Sequence, residues 1–260
     1  MRMTGNTILI TGGGSGIGRG LAEAFHKLGN QVIIAGRRKD LLAQVTKANP
    51  GMAQAVLDVQ DSPGLRRFTA QMAEKYPALN VLINNAGIMK MENLRDPGED
   101  FAAVEAIVAT NLTALMHLTS ALLPLLEKQS HATIMNVTSG LAFVPLAMSP
   151  TYCATKAAIH SYTQSLRYQL RGTPVAVVEL APPYVATELM GAQQAADPRA
   201  MPLGEFIGEV MDILKTQPDA TEVCVQRVLP LRFAAEQGQA RYEEMFKGFN
   251  DSMFATASGH

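Results

Sequence analysis

The sequence predicts an α/β chain: a doubly wound parallel sheet of about seven strands flanked by helices. Short β-branched runs alternate with longer stretches of helical period, and the gaps between runs leave room for crossover helices. The first run ends in a cluster of glycines. The candidate strands span 7–11, 32–35, 54–57, 81–84, 133–137, 175–180 and 222–228. Between them lie stripes at three- and four-residue spacing: Ile17, Leu21 and Phe25; Leu65, Phe68 and Met72; Val104, Val108, Asn111 and Leu115.

A chain of 260 residues, 47% of them hydrophobic, fits one large domain, and no repeat or Pro/Gly/Ser linker divides it. One stretch departs from the pattern. From Met190 to Pro218, Gly191, Pro198, Pro202, Gly204 and Gly208 interrupt the period, although Phe206, Val210, Ile213 and Leu214 still form a stripe. This segment, about 188–218, is expected to be a small lid over a substrate.

With 22 basic and 23 acidic residues, nothing in the charge attracts nucleic acid or an anionic membrane. No run reaches the ~18 apolar residues of a membrane span, and the N-terminus lacks the pattern of a signal peptide. Cys153 and Cys224 are far apart, and His26, His117, His131, His160 and His260 are scattered singly, so no metal site is expected. These features lead to the expectation of a cytoplasmic protein with a small-molecule partner.

Directly after the first strand comes Thr11-Gly12-Gly13-Gly14-Ser15-Gly16-Ile17-Gly18. Glycines let the backbone turn tightly and approach a pyrophosphate, and the following helix offers unpaired N–H groups and a positive dipole end. A nucleotide-binding sheet of Rossmann type follows.

Tyr152 and Lys156 are four apart, hence on one face of a helix. An ammonium beside a phenol favours the phenolate, and such a pair can move a proton at an alcohol or carbonyl oxygen while a cofactor handles the hydride. Ser139 ends the fifth strand, and Asn84-Asn85-Ala86-Gly87 ends the fourth, both at the carboxyl edge where ligands bind. Asn111 sits on an apolar stripe, where an amide needs satisfied hydrogen bonds.

Together these motifs resemble the short-chain dehydrogenase/reductase family, in its classical branch, over essentially the whole chain. The resemblance implies a catalytic tetrad of Asn111, Ser139, Tyr152 and Lys156, with Ser139 thirteen residues before Tyr152. It makes Tyr152 the general acid/base and has Ser139 position the substrate oxygen. Lys156 would hold the nicotinamide ribose and lower the tyrosine pKa, and Asn111 would anchor a water. Cofactor contacts are implied at Gly12, Gly14, Ser15, Gly16, Ile17, Gly18, Asp58, Val59, Asn85, Ala86 and Gly87, and beyond the sixth strand at Pro182, Val185 and Thr187. Pro182-Pro183 stands where the family usually has Pro-Gly, and the double proline with the run 232–238 resembles the DltE-like subgroup. Homodimers or homotetramers are implied as well.

The second strand runs into Gly36-Arg37-Arg38 rather than an acidic residue, so NADP(H) is expected, with Arg37 and Arg38 beside its extra phosphate. Ser15 stands where some NADP-dependent relatives carry a basic residue. Met89, Phe143, Met148, Tyr184, Leu189, Met190 and Phe206 are expected to line the substrate pocket with no arginine among them, which suits an uncharged ketone, aldehyde or secondary alcohol. The alternatives are a non-catalytic nucleotide-binding regulator on the same fold or an NAD-preferring dehydrogenase.

Overall fold

The computed structural model describes residues 1–96 and 101–257; His260 lies outside them. The chain runs β1 (Thr7–Thr11), α1 (Gly16–Lys27), β2 (Gln31–Gly36), α2 (Lys39–Ala48), β3 (Ala53–Val56), α3 (Ser62–Lys75) and β4 (Leu79–Asn84). It continues through α4 (Phe101–Val108), α5 (Ala114–Leu126), β5 (Ala132–Val137), α6 (Pro150–Gln169) and β6 (Val175–Leu180). Last come α7 (Ala192–Ala196), α8 (Leu203–Thr216), β7 (Glu222–Val223), α9 (Leu229–Arg232) and α10 (Gln239–Ala257). Seven parallel strands lie in the order β3-β2-β1-β4-β5-β6-β7. The winding reverses between β1 and β4, and this opens a crevice at their carboxyl ends.

Alternate residues of β1 serve opposite faces of the sheet. Ile8 and Ile10 join Leu21, Phe25 and Ile34 on one side, and Leu9 joins Ile33, Phe68, Leu118 and Leu122 on the other.

Four sequence expectations need correction. The seventh strand is two residues long, paired only at Glu179 with Glu222 and Leu180 with Val223. Beyond it the chain turns, so that Val225 and Val228 drop into the core instead of extending the ladder.

The stripe of Val104, Val108, Asn111 and Leu115 is shifted. A π-helical turn over Ala109–Thr113 joins α4 to α5 and takes up an extra residue. It turns Ala103, Ile107, Thr110 and Asn111 inward together and leaves Val104 and Val108 half-buried.

Part of the expected lid belongs to the core, although most residues of 188–218 are exposed or half-buried. Phe206, Val210 and Leu214 of α8 pack in the cluster that holds Leu21 and Phe25 of α1. A Cβ on Gly20 would lie 2.7 Å from Ile207, so the missing side chain is what lets α8 approach α1 so closely.

Finally, Phe101–Leu126 is long and apolar enough to cross a membrane, contrary to the expectation that no run would be. Its inward face is instead used in packing, with Leu118, Leu122 and Leu126 in the cluster that contains Phe68 and Leu82.

Candidate active site

The crevice at the β1/β4 reversal has a volume of about 640 Å³. One wall is the glycine turn, with Gly12 and Gly16 at φ +68° and +52°. A Cβ on Gly12 would come within 2.9 Å of the Asn85 amide, and one on Gly18 within 2.4 Å of both that amide and the Gly12 carbonyl. Only glycine fits either place. Asn85 and Ala86 donate their backbone N–H groups to Thr11 Oγ1 at 3.0 Å, and the Asn85 side chain donates to the Thr11 carbonyl at 2.9 Å. The β4 end is thereby fixed against the turn. Ser15 caps α1 in an extended conformation, so the helix presents its N-terminus to the crevice. This cradle fits a dinucleotide pyrophosphate.

The opposite wall carries Ser139, Tyr152 and Lys156. Ser139 begins the short turn after β5, its hydroxyl accepting from Leu141 N at 3.1 Å. Tyr152 lies in the first turn of α6 and is 6% exposed. Burial pushes its pKa up, and a hydrogen bond with Ser139 opposes this in part. The buried Lys156 amine donates to the Val137 carbonyl at 2.8 Å, and burial pulls it down to about 8. The expected lowering of the tyrosine by the lysine is therefore not the dominant effect: loss of water from around the phenol outweighs it. Tyr152 therefore holds its proton near neutrality.

Asn111 does not border the crevice. Its amide accepts from Ile88 N and donates to Ile88 O, both at 2.9 Å, and donates to Thr155 Oγ1 at 3.2 Å. The π turn aims it there, and it ties the loop after β4 to α6. Asn84 likewise turns away, donating to Thr119 and Asn136 inside the fold.

The family profile of the short chain dehydrogenases matches residues 6–198. The chain belongs to the short-chain dehydrogenase/reductase family. It is an oxidoreductase of that family, and is 41% identical over 253 residues to the uncharacterized oxidoreductase DltE of Bacillus subtilis (strain 168), an alignment covering 96% of this chain and 98% of that one. Its fold is similar to a short chain dehydrogenase from Burkholderia cenocepacia J2315 in complex with NADP (TM-score 0.80, 23% identity, 95% and 99% of the two chains covered). It is also similar to one from Burkholderia phymatum in complex with NAD (TM-score 0.78, 20% identity, 91% and 95% covered).

In this dehydrogenase the expected cofactor residues Gly12, Gly14, Ser15, Gly16, Ile17, Arg37, Arg38, Val59, Asn85, Ala86, Gly87, Pro182, Val185 and Thr187 all border the crevice. Gly18 supports it from behind, and Asp58 lies outside, its carboxylate accepting from Gln60 N at 3.0 Å. Arg38 reaches across the mouth and donates to Ser15 Oγ at 2.7 Å.

The substrate end departs further from expectation. Met89, Tyr184, Leu189 and Met190 line it, but Phe143, Met148 and Phe206 do not. Phe206 is fully buried in the core, and Phe143 packs edge-on against His160 under Arg232. An arginine does reach the crevice: Arg199, held by Asp197 at 2.7 Å, with Tyr184 donating to the same carboxylate at 3.2 Å. Gln194 was not foreseen either. It donates to the Val185 carbonyl and to Thr187 Oγ1 and accepts from Met190 N, which fixes the loop after β6. Phe249 and Met253 of α10 also border the crevice, from a helix more than a hundred positions away from Ser139. Among the described residues no group of His, Cys, Asp or Glu is placed to hold a metal.

Proposed function

We propose that this dehydrogenase uses NADP(H) to interconvert a small, uncharged, hydrophobic ketone or aldehyde and the corresponding alcohol. The observation that carries the cofactor reading is the end of β2. Gly36, Arg37, Arg38, Leu42, Leu57 and Val59 line that part of the crevice, and among the described residues its only charged side chains are the two arginines. A 2′-phosphate would find guanidinium donors there and no carboxylate to repel it. Arg38 on Ser15 sets one of them beside the glycine turn.

The bound nicotinamide supplies or accepts the hydride. The rest falls to the chain's own side chains. Tyr152 gives its hydroxyl proton to the substrate oxygen on reduction and takes it back on oxidation, Ser139 donates a hydrogen bond that orients that oxygen, and Lys156 lies beneath the tyrosine to meet the ribose. Met89, Leu141, Leu146 and Met190 give the reacting carbon an apolar surround. The charge of Arg199 is balanced by Asp197.

The free thiols of Cys153 and Cys224, each pushed up to about 11 by burial, suit a cytoplasmic setting, which is part of the proposal. So is a homodimer or homotetramer, for which the half-buried Leu112 and Met116 offer apolar surface. The test is kcat/KM for NADPH and NADH across a panel of ketones and aldehydes. A preference for NADPH with turnover of neutral substrates is expected. Preference for NADH would overturn the cofactor assignment, and dinucleotide binding without turnover would favour the regulator.

A further inference from the structure

The methionine-rich patch around Tyr152 is closed by the C-terminal helix. Met89, Leu146, Tyr152 and Cys153 form a small buried cluster, and Phe249 and Met253 pack against it from α10. These two side chains are one helical turn apart and also border the crevice. The other side of α10 faces water, with ion pairs between Arg241 and Glu244 and between Lys247 and Asp251.

A buried polar side chain ties this helix to the rest of the fold. Asn250 is 6% exposed, the only buried residue of α10 among those whose side chains are described. Its carbonyl oxygen accepts from Ala147 N at 2.7 Å, and its amide donates to Pro145 O at 3.1 Å and to Phe246 O at 2.9 Å. The segment it grips links Ser139 to Tyr152, and Leu146 within it donates its N–H to Cys153 Sγ at 3.3 Å. Lifting α10 would break the bonds to Ala147 N and Pro145 O, which is unfavourable.

We propose that α10 is the specificity-determining wall of the substrate site. Phe249 and Met253 select carbonyl compounds that carry a flexible apolar chain, and Asn250 is the positioning residue that seats them. The inference rests on the carbonyl-reductase reading above. Thioether side chains adapt their shape, so a wall built of Met89, Met190, Met253 and one phenyl ring accommodates an unbranched chain more readily than a rigid polar one.

The experiment compares wild type with Phe249→Ala/Met253→Ala and with Asn250→Ala. It measures KM and kcat for butanal and decanal with NADPH, the Kd of NADPH, and the Kd of decanamide, an unreactive amide with the same chain. In the double variant, KM for decanal should rise at least about tenfold and decanamide binding weaken equally. KM for butanal should rise far less than KM for decanal, and NADPH affinity should stay within about twofold. Asn250→Ala should give the same chain-length signature. A uniform loss for both aldehydes in Asn250→Ala would overturn its positioning role, and unchanged decanamide affinity in the double variant would overturn the wall. If wild type reduces neither aldehyde but binds decanamide more tightly than the double variant does, the carbonyl-reductase reading fails and the wall stands.

Discussion

The Lys156 amine lies 5.5 Å from the centroid of the Tyr152 ring and donates to the Val137 carbonyl at 2.8 Å. Both groups are dry, and each is pushed toward its neutral form, the phenol up and the amine down. The pair is set to give a proton rather than to store a phenolate.

Removing that proton should stop turnover and spare the fold. Tyr152→Phe is expected to bind dinucleotide as wild type does and to lose at least ~100-fold in kcat, the lower range for a general acid. Single-turnover reduction monitored by nicotinamide absorbance is the check, and near-normal turnover would remove Tyr152 from the role.

The depressed lysine makes stability depend on pH. Between about 8 and 10 the unfolded chain keeps a proton on Lys156 that the folded chain has lost, so stability rises with pH through this window. Above 10 the unfolded chain ionises Tyr152 while the folded chain does not, and the trend reverses. Relative to Lys156→Met, wild type should gain roughly 2 kcal/mol between these limits, the slope never exceeding ~1.36 kcal/mol per pH unit. Urea unfolding of both proteins at each pH reads the difference; parallel curves would contradict it.

Arg37→Ala tests the end of β2. A hydrogen bond to a charged group contributes roughly 1.5–3 kcal/mol, so kcat/KM with NADPH should fall about ten- to a hundredfold. The value with NADH should fall much less. Equal losses with both dinucleotides would mean that Arg37 does not meet the phosphate.

A methyl group behind the phosphate turn should be as damaging as one within it. Gly18→Ala places a Cβ 2.4 Å from the Gly12 carbonyl and the Asn85 amide, so the turn must open. Dinucleotide affinity should drop sharply, as measured by fluorescence titration, while far-UV circular dichroism stays native. Unaltered affinity would show that the turn does not hold the pyrophosphate.

Amide exchange separates the two parts of the segment first read as a lid. α8 should be protected with and without ligand, because Phe206, Val210 and Leu214 belong to the core. Residues 187–201 should become protected only on forming a dinucleotide–substrate complex. Slow exchange there in the free protein would rule out closure.

The sheet was legible because buried parallel strands are continuous β-branched runs, and β1 and β6 begin and end where the sequence placed them. Tyr152, Lys156 and Ser139 were legible only as a set: a tyrosine and a lysine four apart are common in helices, and it was their coincidence with a serine at a strand's carboxyl end and with the glycine turn that pointed to the family. Asn111 could be picked out as an amide on an apolar stripe, but its direction depends on a π turn that a fixed helical period does not register. Phe206 was misplaced since an apolar stripe carries no label for the partner it will meet. Phe249 and Met253 were not found at all. Their helix carries an apolar stripe of Tyr242, Met245, Phe246, Phe249 and Met253, but one core-facing place is an asparagine, and nothing local connects it with a serine so far back in the chain.

The side chain of Thr187 leans over the phosphate turn: a Cβ on Gly16 would lie only 3.4 Å from it. Gln194 braces the same threonine from the other side. The lip that borders the substrate thus also overhangs the slot in which the dinucleotide lies. In kinetic language this arrangement predicts a compulsory order, dinucleotide entering before the organic substrate and leaving after the organic product, and product-inhibition patterns that fit random binding would contradict it.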